Sequence, residues 1–303
     1  MAELPRIYFD RPLPDLYRDL LDGRAEPVGP EVSDLATADA VLAGAVVPWN
    51  AEAVREAPRV RVVSRIGIGY DNVDVAGLAG VGVVTCNTPD GPSVSTAEHA
   101  LALLFAITKE LAAHAVTARA GVTGGPALGL ELDGRTLGLV GYGRIAKRVG
   151  AVGAALGMHV LAFDPFVDAA SGASMVPLER VFRESDVISL HAPATPDTLR
   201  LVNAASLATM KRGVYLVNTA RGPLVDHDAL VAALDSGHVA GAGLDVTEPE
   251  PLPAGHPLLS HPRAIVTPHI ASSTAVGRRR LYAMALDNAL NVLAGRPASV
   301  VAP

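Results

Sequence analysis

The 303-residue chain has little of what would tie it to an oxidising compartment, a nucleic acid or a membrane. Its one cysteine, Cys86, cannot form an internal disulfide, and no Cys/His spacing fits structural zinc, which points to a reducing compartment. Lys and Arg number 25 against 31 Asp and Glu, a formal charge of -6 with no dense basic block, so neither nucleic acid nor an anionic membrane is an expected partner. No apolar run approaches the ~18 residues of a membrane helix, and the N-terminus lacks the basic-then-apolar order of a secretory leader; a cytoplasmic location is expected. No repeat of fixed period and no low-complexity segment is present. Against these absences stand 50% hydrophobic and 18% charged residues, enough to bury roughly three quarters of the unfolded surface in one or two ordinary domains.

Short β-branched runs at residues 40–43, 60–64, 81–84, 137–140, 159–163, 187–190, 214–217, 240–244 and 265–267 alternate with Ala/Leu-rich stretches of helical period, the pattern of a parallel α/β architecture. Two helical stretches are too long for ordinary crossovers. One opens on the capping box Ser95-Thr96-Ala97-Glu98 and runs through Ala118 to a Gly/Pro-rich segment at 121–129. The other starts near Ser272 or Ser273 and stops at Gly295. Read as links between domains, they predict a discontinuous domain of residues 1–95 and 275–303 around an inserted domain of residues 96–274.

Within the inserted domain, the buried-strand run 137–140 flows into Gly141-Tyr142-Gly143-Arg144-Ile145-Ala146, a G-x-G-x-x-G/A pattern followed by helix-compatible sequence. Such glycines permit a tight turn and close backbone approach to a pyrophosphate on the helix N-terminus. The next strand run ends in Asp164, 18 residues beyond Ala146, where a carboxylate receives ribose hydroxyls and repels a 2'-phosphate. The joint pattern predicts a Rossmann domain that binds NAD rather than NADP.

Three later strand ends carry polar clusters: Asn218-Thr219-Ala220-Arg221-Gly222, then Asp245-Val246-Thr247-Glu248-Pro249-Glu250, then Thr267-Pro268-His269. Ligands of open α/β sheets bind at the carboxyl ends of strands, so these loops are expected to converge. They supply a cation, a carboxylate and an imidazole. Hydride transfer to a 2-keto acid needs a group that holds the carboxylate and polarises the keto oxygen, which suits Arg221, and a proton donor, which suits His269. A carboxylate beside His269 would favour the imidazolium and fix the ring.

These residues resemble the NAD-dependent D-2-hydroxyacid dehydrogenases, the family that includes phosphoglycerate dehydrogenase. The resemblance runs from Ser64-Arg65-Ile66-Gly67-Ile68-Gly69-Tyr70-Asp71-Asn72-Val73-Asp74 through Asn87-Thr88-Pro89-Asp90-Gly91 and Ala97-Glu98-His99 to the fingerprint and the three clusters. It implies a Rossmann NAD domain inserted into a flavodoxin-like substrate domain, both doubly wound parallel sheets. It implies Arg221 as the substrate-binding arginine, Glu250 as the partner of the histidine, and His269 as proton donor and acceptor; the steps of 29 residues from Arg221 to Glu250 and 19 from Glu250 to His269 fit the family and select Glu250 over Glu248. It further implies NAD contacts at Gly141, Gly143, the backbone of Arg144 and Ile145, Asp164, Thr219 and Arg221, with Asp245 on the carboxamide. Gly67, Ile68 and Gly69 resemble the family's backbone cradle for the substrate carboxylate. A homodimer through the inserted domain, with residues 121–130 as an arm, is likewise an implication of the resemblance.

Some family members hold a substrate phosphate with an arginine-serine pair in the loop after the second strand. Here residues 43–50 read AGAVVPWN and contain no cation, so a small unphosphorylated 2-keto or 2-hydroxy acid is the expected partner. The chain ends at Pro303, and feedback control through a further C-terminal domain is not expected. His99, His114, His159, His227, His238, His256 and His261 read as structural or exposed; the spacings of His256, His261 and His269 fit no metal motif, and no metal is expected. The rival readings are phosphite or phosphonate oxidation with the same Arg/Glu/His set, and a NAD-sensing, corepressor-like interaction protein.

Overall fold

The structure is a computed structural model that describes residues 3–125 and 128–302. In chain order its elements are β1 (Arg6–Phe9), β2 (Glu26–Val28), α1 (Val32–Leu35), β3 (Ala40–Ala43), β4 (Val62–Arg65), α2 (Val75–Gly80), β5 (Val84–Cys86), α3 (Ser93–Thr108), α4 (Leu111–Arg119), β6 (Thr136–Val140), α5 (Arg144–Ala155), β7 (His159–Phe163), β8 (Ser174–Met175), α6 (Leu178–Glu184), β9 (Val187–Leu190), α7 (Ala204–Thr209), β10 (Val214–Asn218), α8 (His227–Asp235), β11 (Val239–Leu244), α9 (Pro257–Ser260), β12 (Ala264–Val266) and α10 (Ala275–Leu293). The chain divides into two compact units, one formed by Met1–Ser93 with Ser273–Pro303 and the other by Val94–Ser272.

The first unit holds a five-stranded parallel sheet of order β2-β1-β3-β4-β5. Residues alternate between its faces: Ile7, Phe9, Leu42 and Val62 pack on one side with Tyr282, Ala285 and Leu286 of α10, while Tyr8, Val41, Val63 and Leu78 pack on the other. The returning α10 is therefore part of this core, and the buried Ser64 hydroxyl donates to the Ala285 carbonyl at 2.8 Å. The second unit holds a seven-stranded parallel sheet of order β12-β11-β10-β9-β6-β7-β8, the doubly wound dinucleotide-binding order with one strand added at an edge. Leu137, Leu139, Tyr215 and Val217 face one helix layer, and Val140, Ile188, Leu190 and Leu216 face the other.

Two helix boundaries differ from the sequence expectation. The first long helix begins at Ser93 rather than after a cap at Ser95; Pro92 has the fixed φ of a helix entry, and Ser95 lies buried inside the first turn. That helix does not run unbroken to Ala118, because Glu110 has a φ of 52° and α3 and α4 meet at a bend of 61°. No glycine or proline marks the break. Of the stretch read as an arm, Pro126 and Ala127 lie outside the described residues. Among the described residues, no single helix is long and apolar enough to cross a membrane.

Candidate active site

The glycine turn follows β6, whose last four residues are buried, and passes through Gly141 at a φ of 86° into α5. A β-carbon on Gly141 would stand 2.8 Å from both the Ala192 nitrogen and the His191 carbonyl carbon, so only glycine lets this turn lie against the one after β9. Gly143 is the N-cap of the 12-residue α5 and gives no side-chain cap, and a β-carbon there would meet nothing within 4 Å. The positive end of the helix therefore has room beside it for a group that approaches the backbone. Beyond β7, Asp164 accepts from the Tyr142 amide through Oδ2 at 2.8 Å and from the Phe166 amide through Oδ1 at 2.9 Å. The carboxylate is thereby tied to the glycine turn, where ribose hydroxyls lie in a dinucleotide fold. Thr219 adds a buried Oγ1 with no hydrogen-bond partner among the described residues, an orphan of the kind a bound ligand satisfies. A helix N-terminus with room beside it, a fixed carboxylate and an orphaned hydroxyl fit an NAD.

His191, beside the turn, carries no sequence signal. The residue keeps some exposure, but its Nε2 is sealed without a partner among the described residues, and burial pushes its pKa down to about 4, which keeps the ring neutral.

The ends of β10, β11 and β12 bring the three polar clusters together. Asn218 is fully buried; its amide donates to the Arg221 carbonyl at 2.8 Å while its oxygen accepts from the Ala220 amide at 3.0 Å, which fixes the Arg221 loop. A β-carbon on Gly222 would overlap the Thr247 carbonyl and stand 2.8 Å from the Glu248 nitrogen, so this loop lies directly against the one leading to Glu250. Arg221 Nη1 donates to the Ala220 carbonyl at 2.7 Å. His269 Nδ1 stands 2.6 Å from Glu250 Oε1, and both side chains are partly exposed. The carboxylate accepts, so Nδ1 carries a proton and Nε2 is the ring's other end. Glu248, the neighbouring acid, makes no such contact and gives its backbone carbonyl to His227 Nδ1 at 3.1 Å.

Asp245 is 1% exposed, and its carboxylate is committed to the His269 loop. Oδ1 accepts from Thr267 Oγ1 at 2.6 Å and the Ile270 amide at 2.9 Å, Oδ2 from the Ala271 amide at 2.8 Å, and the Asp245 carbonyl takes the His269 amide at 2.8 Å. His269 itself has a φ of 52°, a left-handed conformation costly for a side chain with a β-carbon, and these bonds hold it there. His99 on α3, read from the sequence as structural or exposed, reaches the same cluster: its Nε2 lies 3.0 Å from Thr267 Oγ1 and 3.4 Å from Asp245 Oδ1. Because the Thr267 hydroxyl already donates to Asp245, His99 supplies the donor.

In the other unit, the loop after β4 turns at Gly67, with a φ of 155°. The Gly67 carbonyl accepts from the Thr88 amide at 3.0 Å and the Ile68 carbonyl from Asn87 Nδ2 at 2.8 Å. The amides of Gly67, Ile68 and Gly69 donate to no group among the described residues. A row of open amides of this kind suits an oxyanion. Among the described residues, no three metal-ligating side chains come together.

The model of the D-isomer specific 2-hydroxyacid dehydrogenase, NAD binding domain, matches residues 101–271. Glyoxylate reductase of Korarchaeum cryptofilum is 36% identical over 306 residues, with 94% of this chain and 91% of that protein covered. The chain belongs to the D-isomer specific 2-hydroxyacid dehydrogenase family. D-3-phosphoglycerate dehydrogenase of Mycobacterium leprae is 40% identical over 263 residues, 85% of this chain and 50% of that protein, so the chain spans about half the length of that relative. Among solved structures, the TT0316 protein of Thermus thermophilus matches with a TM-score of 0.89 at 38% identity, over 98% of this chain and 100% of that one.

Proposed function

We propose that the chain is an NAD-dependent D-2-hydroxyacid dehydrogenase that interconverts a small 2-keto acid and the D-2-hydroxy acid. The observation that carries the reading is the His269–Glu250 pair at 2.6 Å, on a loop held by buried Asp245 and adjoining the Arg221 loop through Gly222. Gly141, Gly143, Arg144, Ile145 and Asp164 would hold NADH, which would supply the hydride. Arg221 grips the acid with its planar fork and lies against the keto oxygen, which polarises the carbonyl. His269 gives that oxygen its proton, and Glu250 orients the ring and supports its charged form during the transfer. The open amides of Gly67, Ile68 and Gly69 receive the substrate carboxylate. The unit of residues 1–95 and 275–303 takes the substrate role, and the unit of residues 96–274 takes the cofactor role.

The same reading places the protein in the cytoplasm as a homodimer. Supporting the homodimer, α4 has no buried residue while it exposes Leu111 and Val116. The test is turnover with NADH on glyoxylate, pyruvate and hydroxypyruvate, in wild type and Arg221→Lys. We expect wild-type rates orders of magnitude above background and a variant with raised KM and lowered kcat, since the charge remains but the fork is lost. Tight NADH binding without turnover on any 2-keto acid, unchanged in the variant, would instead support a cofactor sensor.

A further inference from the structure

The five-stranded sheet changes its direction of winding between β1 and β3, and ligands of open parallel sheets bind outside the carboxyl ends of strands at such a point. Here β1 runs out into Asp10 and Arg11, and β3 into Gly44. Asp10 is covered: its side chain is 3% exposed, and Oδ2 accepts from the Gly44 amide at 2.6 Å and from Trp49 Nε1 at 3.4 Å. Arg11 is open, with its side chain 48% exposed and its Nε 3.6 Å from Asp10 Oδ1. Its guanidinium lies so close against Gly44 that a β-carbon there would fall on Nη2 and stand 2.6 Å from Nε. Gly44 thus contributes room for a cation from the neighbouring strand. Arg278, in the first turn of α10, is a second exposed cation of the same unit, with its Nη2 donating to Ser273 Oγ at 2.9 Å. With the carboxylate turned inward, the charge presented at the sheet edge is positive. The Ile66 amide donates to the Ala43 carbonyl at 2.9 Å, so the open amides of Gly67 to Gly69 begin on the adjoining strand end, about 5 Å away across the sheet.

We infer that Arg11 is a specificity-determining residue that receives a second acidic group, a carboxylate or a phosphate, at the far end of a 2-keto acid whose first carboxylate lies at Gly67–Gly69. The inference rests on the dehydrogenase reading and reverses the expectation drawn from the cation-free residues 43–50.

The test measures NADH-linked turnover on substrate pairs that differ only in the second acid: pyruvate against oxaloacetate, and hydroxypyruvate against 3-phosphohydroxypyruvate. Wild type should favour the doubly acidic member of at least one pair by about tenfold or more in kcat/KM, and the responding pair tells carboxylate from phosphate. Arg11→Gln should lower kcat/KM on that member by about tenfold to a hundredfold, the size of a lost hydrogen bond to a charged group, and change its singly acidic partner less than about threefold. Gly44→Ala, which displaces the guanidinium, should act the same way. No preference within either pair, or an equal fall on both members in Arg11→Gln, overturns the inference. Inactivity on all four acids overturns the dehydrogenase reading instead. Arg11 is then judged by fluorescence of Trp49, the single tryptophan: a response to inorganic phosphate or malonate in wild type that is absent in Arg11→Gln sustains the anion site, and no response overturns it.

Discussion

Replacing Asp245 by Asn separates two jobs that this residue could perform. Family resemblance puts its carboxylate on the cofactor carboxamide, whereas its bonds in the structure go to the His269 loop. An asparagine can turn its oxygen to only one side. With the oxygen in the place of Oδ1, it keeps Thr267 Oγ1 and the Ile270 amide, but its NH2 then faces the Ala271 amide, donor against donor. One buried unsatisfied donor costs about 1–3 kcal/mol, and the flipped orientation, with two donors stranded, about twice that. In a domain of this size the better case lowers Tm by about 2–10 °C. The catalytic consequence follows from His269, whose left-handed φ of 52° costs about 1–2 kcal/mol and is kept by this set of bonds. Once the bonds weaken, the loop relaxes and carries the ring away from Glu250; a shift of about 1 Å costs about 10²-fold in rate. Loop holding therefore predicts a lower Tm, kcat down about 10²-fold, and NADH affinity changed less than about threefold. Thermal unfolding, fluorescence titration with NADH and steady-state kinetics on one preparation of Asp245→Asn decide the matter. An unchanged Tm and kcat with NADH bound tenfold more weakly would refute the loop-holding account and return Asp245 to the carboxamide.

His269→Ala should lose about 10²-fold or more in kcat with NADH binding intact, and Glu250→Gln, which keeps a hydrogen-bond partner for the ring but removes the charge, should lower kcat with NADH affinity unchanged; an unaltered kcat in Glu250→Gln would pass the role to Glu248. Asp164→Ala should narrow the preference for NADH over NADPH, because it removes the charge that opposes a 2'-phosphate, and a wild type that prefers NADPH in kcat/KM would overturn the site. His191 has a folded pKa pushed down to about 4 against about 6.5 unfolded, so the unfolded chain binds the extra proton; stability is full above about pH 6.5 and declines as pH falls toward 4, by about 2 kcal/mol at pH 5. Urea unfolding at pH 7.5 and pH 5 should show this loss in wild type and less of it in His191→Leu; equal losses would remove His191 as the cause.

The alternation of strand and helix was legible because both sheets are covered on both faces, which makes a central strand a continuous apolar run such as Ala40–Ala43, all four residues buried. The edge and entry elements were not. At four residues β1, Arg6–Phe9, is no shorter than Ala40–Ala43, but it opens on the charged Arg6 and only three of its residues are buried, while β8 has only two residues. Missing β1 also hid Arg11, since residue 11 has no meaning for a ligand until β1 is known to lie beside β3. The break between α3 and α4 was equally silent, because Glu110 takes its left-handed backbone without the glycine that would announce it.

The candidate site divides along the same line. Gly141, Gly143 and Asp164 form a local pattern whose spacing follows from one βαβ unit, so sequence alone could suggest them. Glu250 and His269 meet through two different strand ends, and it was the family resemblance that chose between Glu250 and Glu248. The residues that hold the site in shape stand in stretches the sequence singled out, but nothing in the sequence marked that holding role. Asn218 fixes the Arg221 loop, Asp245 carries the His269 loop, and His99 reaches Thr267 from a helix 168 residues earlier in the chain. Each acts through a hydrogen bond to backbone or to a hydroxyl, an acceptor or donor that every loop possesses, so residue type says nothing about the partner until the fold supplies it. The chemistry-bearing groups require particular side chains and can be read from sequence, whereas the groups that aim them require only a polar atom at the right place.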